Sequence, residues 1–135
     1  MKGFWGSVLL VFLLTAHVCA TPEQKTHYEN APGFAFVYAH EDGECFVDVD
    51  SIRSEEYSPP RYQIGATTYY ASDSSPTVSV RYITFRYNYD KQTVFFLGMD
   101  GRWYWLNPDE NPISMCQIQL ADYLFLQCYQ IHFIH

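Results

Sequence analysis

Charge is scarce in this chain. Only 17% of its 135 residues are Asp, Glu, Lys or Arg, and eight basic residues stand against fifteen acidic ones, a formal net charge of −7. So few cations make a poor partner for a phosphate backbone or an anionic lipid surface, so no nucleic-acid partner is expected. Catalytic signatures are missing too. There is no Gly-x-Ser-x-Gly, no His-Glu-x-x-His, no phosphate-cradling Gly-rich loop and no Cys-x-x-Cys. The usual frames for a serine nucleophile, a zinc protease, a nucleotide site or a structural zinc are thus lacking, and no cofactor is expected. Nor is there a heptad, a collagen period or a longer repeat. What the chain does have is apolar and aromatic mass, 48% and 19% of residues, with twelve Tyr. That balance excludes disorder and fits one globular domain.

The amino terminus reads as an export signal. Lys2 is followed by an uncharged run through Phe4, Trp5, Val8 to Leu14, and Val18-Cys19-Ala20 offers a cleavage site before Thr21. The run is shorter than the roughly twenty residues needed to cross a bilayer, so no integral segment is expected after cleavage. Cys19 offers a second route, lipid attachment at a new amino terminus, although His17-Val18 departs from the small residues that signal prefers. The expected organisation is a signal peptide over 1–20, a flexible leader over 21–33 and one domain over 34–135. Localisation would be secreted, periplasmic or cell-surface.

Cys45, Cys116 and Cys128 remain after cleavage. An exported domain meets oxidising conditions, yet an odd number leaves at least one thiol unpaired. If Cys116 and Cys128 share a helix, about 18 Å separates them, beyond disulfide reach. A bridge would therefore join Cys45 to Cys116 or Cys128. Three buried thiols acting as small apolar groups are the alternative.

Period-two patterning predicts strands over Phe34–Ala39, Glu44–Val49, Arg61–Tyr70, Thr77–Tyr89, Gln92–Gly98 and Arg102–Leu106. Phe34, Phe36 and Tyr38 would share a face. Asp42-Gly43 and Asp100-Gly101 supply hairpin turns, while Ser51 to Pro60, ending in Pro59-Pro60, reads as a polar connection. In the fourth strand Val78, Val80 and Tyr82 make one face apolar before Ile83, Phe85, Tyr87 and Tyr89 make the other so, which predicts a bulge near Tyr82–Ile83. A helix is expected from Met115 to Phe133, with Leu120, Ala121, Leu124, Phe125, Cys128 and Ile131 on its buried arc and Asp122 and Gln130 opposite. Leu126 and Phe133 would fall near the polar side. The fold class is α+β: an antiparallel β-meander of about five to six strands with one C-terminal helix packed on it.

Three sets of residues could carry function. Asp48 and Asp50, two apart on a strand and near Glu44, could serve a metal or a carboxylate pair, although Ile52 and Arg53 break the calcium-loop pattern and solvated hairpin charge is the simpler explanation. His27, His40, His132 and His135 show no spacing that pairs them with a cysteine. Finally, Arg61-Tyr62, Arg81-Tyr82, Arg86-Tyr87 and Arg102-Trp103 repeat a cation beside a ring. Stems covering neighbouring rings would explain the repeat. Tyr62, Tyr69, Tyr82, Tyr87, Trp103 and Trp105 would form an aromatic recognition face for a protein or glycan.

The stretch Cys45-Phe46-Val47-Asp48-Val49-Asp50-Ser51-Ile52, then Pro59-Pro60-Arg61-Tyr62-Gln63-Ile64, resembles small exported bacterial proteins of unknown function. Phe85 to Asp90, Gly101 to Pro108 and the terminal aromatic helix extend the likeness over most of 34–133. More distantly the chain is similar to surface-adhesin E-like proteins. The nearer resemblance implies export; the distant one implies adhesion to host proteins, with no binding residue transferable. The leading expectation is a noncatalytic binding module of the envelope or surface. A small envelope hydrolase or metal-dependent enzyme using Asp48 and Asp50, and a structural or assembly protein, are the alternatives.

Overall fold

A computed structural model describes Tyr28 and residues 31–40, 43–74 and 77–135. The expected signal peptide with Cys19, and nearly all of the leader before Ala31, lie outside the described residues. Seven strands form one antiparallel sheet: β1 (Phe34–His40), β2 (Gly43–Asp48), β3 (Arg53–Ser58), β4 (Arg61–Ser72), β5 (Ser79–Asn88), β6 (Thr93–Leu97) and β7 (Trp103–Trp105). Helix α1 (Pro112–Tyr129) follows and packs on one face, so the fold is α+β. Neighbour order is β1-β2-β4-β5-β6-β7, with β3 also on β4.

The seventh strand is β3, within the stretch read as a connection. β2 pairs with Thr68–Ser72 of β4 and β3 with Arg61–Gly65, so both share one edge of that long strand. Val49–Ser51 makes a 3-10 turn between them. The Ser51 hydroxyl donates to the Asp48 carbonyl (2.6 Å) and accepts from the Thr67 amide (2.8 Å), which ties the turn to β4. Every residue of β3 is exposed. No hydrophobic alternation marks it, and its backbone is held by the ladder instead.

The bulge expected at Tyr82–Ile83 does not exist: β4 and β5 pair without a break from Arg61 opposite Asn88 to Tyr70 opposite Ser79. Val80 and Tyr82, both 55% exposed, lie on the face opposite α1, whereas Ile83, Phe85 and Tyr87 face α1. The apparent switch therefore reflects which side is covered. Real bulges fall between Phe36 and Tyr38 and between Ser54 and Glu56. The first sends Tyr38 to the helix side while Phe36 stays opposite with Phe46, ring centroids 5.9 Å apart. Phe34, Phe36 and Tyr38 thus do not share a face.

Helix α1 starts earlier and stops sooner than its pattern suggested. Asn111 caps it, its side-chain oxygen accepting from the Ser114 amide (2.9 Å), with Pro112 in the first turn. Gln130 in the left-handed region (φ 62°) ends it, its amide donating to Leu126 (2.8 Å). Leu120, Ala121, Leu124 and Phe125 are buried against Val47, Ile64, Ala66, Phe85 and Tyr87, as expected. Ile131 is not on that arc; it lies past the helix and is 49% exposed. Phe133 instead turns back into the core, its ring 5.1 Å from Tyr87 and 5.3 Å from Phe125. Asp122, expected to face solvent, anchors this tail. Its carboxylate accepts from the amides of Phe133 (2.7 Å) and Ile134 (3.2 Å) and pairs with His132 (2.7 Å).

Emptying the tail pocket tests this docking. Phe133→Ala is expected to cost about 3–5 kcal/mol, and Ile134→Ala less than about 1 kcal/mol, in urea unfolding of the chain; equal small costs would show that the tail is not part of the core.

Candidate functional site

Directly paired residues of antiparallel strands point to one side, so register alone assembles the face opposite α1. Gln63, Arg86, Phe95 and Trp105 make one row across β4, β5, β6 and β7. Leu97 and Trp103 make the next, and Tyr82 lies along β5. Tyr82 and Trp105 are more than half exposed, and Phe95 and Leu97 are each 37% exposed. The Arg86 guanidinium lies 3.9 Å above the Trp103 ring, reaching across β6. Its Nε donates to Gln63 Oε1 (2.9 Å), Gln63 Nε2 donates to Glu55 (2.6 Å), and the Tyr82 hydroxyl donates to the other Glu55 oxygen (2.6 Å). Partial burial and this last bond push the Tyr82 phenol up to about 12. The chain crosses directly above Gly65, where a Cβ would overlap both Tyr82 and Glu55.

Only part of the expected aromatic group lies together. Tyr82, Trp103 and Trp105 do, at one end of the face opposite α1. Tyr87 does not: it is 2% exposed on the α1 side, where its hydroxyl donates to the Ala121 carbonyl of α1 (2.8 Å). Tyr62 is also on the α1 side, its ring against Phe125 (5.0 Å), Tyr129 (5.1 Å) and Tyr57 (5.6 Å). Tyr69 is on the face opposite α1 but at its other end, packed by Phe34 and Tyr28. Alternation explains the split, because a Tyr or Trp next to an Arg in a strand points away from it. For the same reason the cation over a ring is a cross-strand pair, Arg86 on Trp103, and not a sequence neighbour. Sequence reasoning missed Arg86's true partner, Phe95, Leu97 and Glu55; the register needed to group them is not visible in composition.

On the helix side, the amino-terminal half of α1 and the sheet enclose a half-open cleft of about 840 Å³. Ile83, Phe96, Leu106, Ile113 and Leu120 give it apolar walls, and Tyr38, His40, Cys45, Tyr70, Arg81, Cys116 and Gln117 add polar groups. The side-chain oxygen of Gln117 is buried without a hydrogen-bond partner. Desolvation raises the Tyr38 phenol well above its ordinary range and pushes the Cys45 thiol up to about 11, with Cys116 close enough to raise both further. The expected bridge is not formed; Cys45, Cys116 and Cys128 are all free thiols. Cys45 and Cys116 do line one cleft, and Cys128 lies elsewhere on α1.

Asp48 and Asp50 do not act as a same-face pair, because the strand ends at Asp48 and Asp50 sits in the 3-10 turn. The Asp48 carboxylate caps that turn by accepting from the Asp50 amide (3.1 Å), and neither residue lines the cleft. Among the described residues no three His, Cys, Asp or Glu side chains gather into a metal-sized group, and no helix is long and apolar enough to cross a membrane. His132 and His135 belong to the docked tail; His135 stands edge-on to Tyr89, ring centroids 4.6 Å apart. Set beside protein-family models, curated proteins and solved structures, the chain matches none.

Two titrations follow from the burial. The folded chain keeps the phenol protons of Tyr38, Tyr82 and Tyr87 that an unfolded chain releases near about pH 10. Stability from these groups is therefore complete below about pH 10 and falls as pH rises past it; thermal melting from neutral to strongly alkaline buffer should show the decline, and a flat profile would contradict it. Cys45, with its thiol at about 11, should alkylate with iodoacetamide far more slowly at neutral pH than in the denatured chain, as read by peptide mass spectrometry, because the thiolate is the nucleophile.

Proposed function

We propose that this chain is a noncatalytic binding module, exported to the envelope or cell surface, that holds a protein or glycan on the face of β5, β6 and β7 opposite α1. The observation that carries the reading is the exposed group of Tyr82, Phe95, Leu97 and Trp105 around the Arg86–Trp103 pair. Rings on a sheet offer large amphipathic area at low entropic cost, because the backbone beneath them is already ordered. A cation seated on indole and a carboxylate–amide chain beside it add planar hydrogen-bonding groups at the rim. Exported proteins of this composition meet proteins and polysaccharides rather than nucleic acid, and the acidic net charge agrees with that. A hydrolytic reading on Asp48 and Asp50 has no converged carboxylates to support it.

The test uses residues 21–135 in surface-binding assays against arrayed bacterial and host glycans and purified extracellular-matrix proteins. Replacing Phe95 and Trp105 together by Ser should lower affinity for whichever probe is bound by roughly tenfold or more, since central aromatic anchors dominate interfaces. Melting temperature should change little, because both side chains already face solvent. Unchanged affinity in a folded double variant would dismiss this face as the site.

A further inference from the structure

Among the described residues the sheet protects every strand edge but one. β1 is bulged and packed by α1, β7 has only three residues, and β3 carries Arg53, Glu55 and Glu56; a bulge or cover, short length and charge are the usual means of blocking strand addition. β5 is different. β6 pairs only with Phe85–Asn88, so Ser79–Thr84 has β4 on one side and, among the described residues, no strand on the other. Among the described residues no backbone hydrogen bond reaches that open side. The segment carries no Pro, Lys or bulge, and Val80 and Tyr82 on it are each 55% exposed.

Cavities lie along this edge. The large cleft is bounded by Ser79, Arg81 and Ile83 of β5 on one side and by Leu97, Tyr104 and Leu106 on the other. A smaller hollow of about 310 Å³ separates Arg81, Tyr82 and Thr84 from Leu97, Gly98 and Met99. The open edge is thus the floor of a groove between diverging strands. Arg81 stands in it with no ion pair or side-chain hydrogen bond among the described residues.

We propose that this groove takes an extended segment of a partner polypeptide, which adds as a strand to Ser79–Thr84, sets apolar side chains at alternate positions into the cleft and presents an acidic residue to Arg81. Only a main chain offers the row of donors and acceptors that an unpaired edge demands. A second copy of this chain fits less well, because its own open edge is recessed between strands and would have to enter the groove with its whole sheet behind it. Charge decides the acidic residue, since an exposed guanidinium with no carboxylate partner among the described residues favours one. The groove adjoins the aromatic face, sharing Tyr82 and Leu97 with it, but Phe95 lies outside it and strand pairing to the β5 backbone does not depend on that face.

Random linear peptides displayed on phage are selected on the full chain, and the best binder is synthesised with single N-methyl groups at successive backbone amides. A methyl on an amide that donates to β5 should weaken binding roughly tenfold or more, and one on the next amide should be tolerated, an alternation that only strand pairing produces. Hydrogen exchange should show Ser79–Thr84 amides less protected than Phe85–Asn88 in the free chain and protected in the complex. Arg81→Glu should weaken the peptide, and Phe95→Ser, which alters only the aromatic face, should leave it unchanged. N-methyl effects without alternation, no enriched peptide, sensitivity to Phe95→Ser, or a concentration-dependent dimer burying Ser79–Thr84 would each overturn the proposal.

Discussion

Packing of α1 and the Phe133 tail on one side of the sheet governs the rest of the molecule. A helix of eighteen residues is about 27 Å long and about 10 Å across. Six strands abreast, at about 4.8 Å spacing, make a sheet wider than that helix. The buried arc of Leu120, Ala121, Leu124 and Phe125 therefore closes over the middle of the sheet, and the tail extends the cover to Tyr87 and Tyr89. Where β6 and β7 diverge from β5, the cover ends and the cleft begins. Asp122 makes the arrangement possible, because its carboxylate satisfies two tail amides that would otherwise be left beside apolar surface.

Tyrosine solves several problems here that phenylalanine would not. Tyr87 is fully enclosed, and its hydroxyl finds the Ala121 carbonyl, joining β5 to α1 with a polar bond inside the core. Tyr129 packs on Phe125 while its hydroxyl meets the Ser54 hydroxyl (2.6 Å), linking the helix end to exposed β3. Tyr82 does the same on the other face through Glu55. In each case the ring supplies apolar area and the oxygen fixes a neighbour. High aromatic content thus serves the architecture first, and only Tyr82, Phe95, Trp103 and Trp105, together with Leu97, remain grouped on an open face.

Much of the architecture was legible because alternation and turn chemistry are local. Asp100-Gly101 lies at the turn between β6 and β7, with Gly101 at φ 79°, and the strand expected over Arg61–Tyr70 matches β4 closely. The unreadable parts depend on partners distant in sequence. β3 is a strand because β4 is long enough to pair it, not because its own residues ask for it. The bulge is in β1 and not β5, since an alternating pattern looks the same whether a side chain is buried or merely apolar and exposed. Phe133 looked helical until Gln130 took the left-handed conformation, which sequence patterning does not mark. For the site, residue type was informative and grouping was not: three of six chosen aromatics share the open face, and Arg86 finds its ring two strands away.

On the face opposite α1 the central strands are tied together by polar side chains. The Tyr82–Glu55–Gln63–Arg86–Trp103 chain runs across β3, β4, β5 and β7 there. Each contact is exposed and individually modest, so the chain acts by fixing geometry more than by adding stability. Gly65 is integral to it, because any side chain there would lift Tyr82 and Glu55 off the sheet. At the other end of the face Tyr28, Phe34, Phe46 and Tyr69 form a small aromatic layer of their own. The polar brace and the aromatic patch thus hold opposite ends of one face, and the exposed rings of Tyr82 and Trp105 sit on strands whose backbone is already fixed by the ladder.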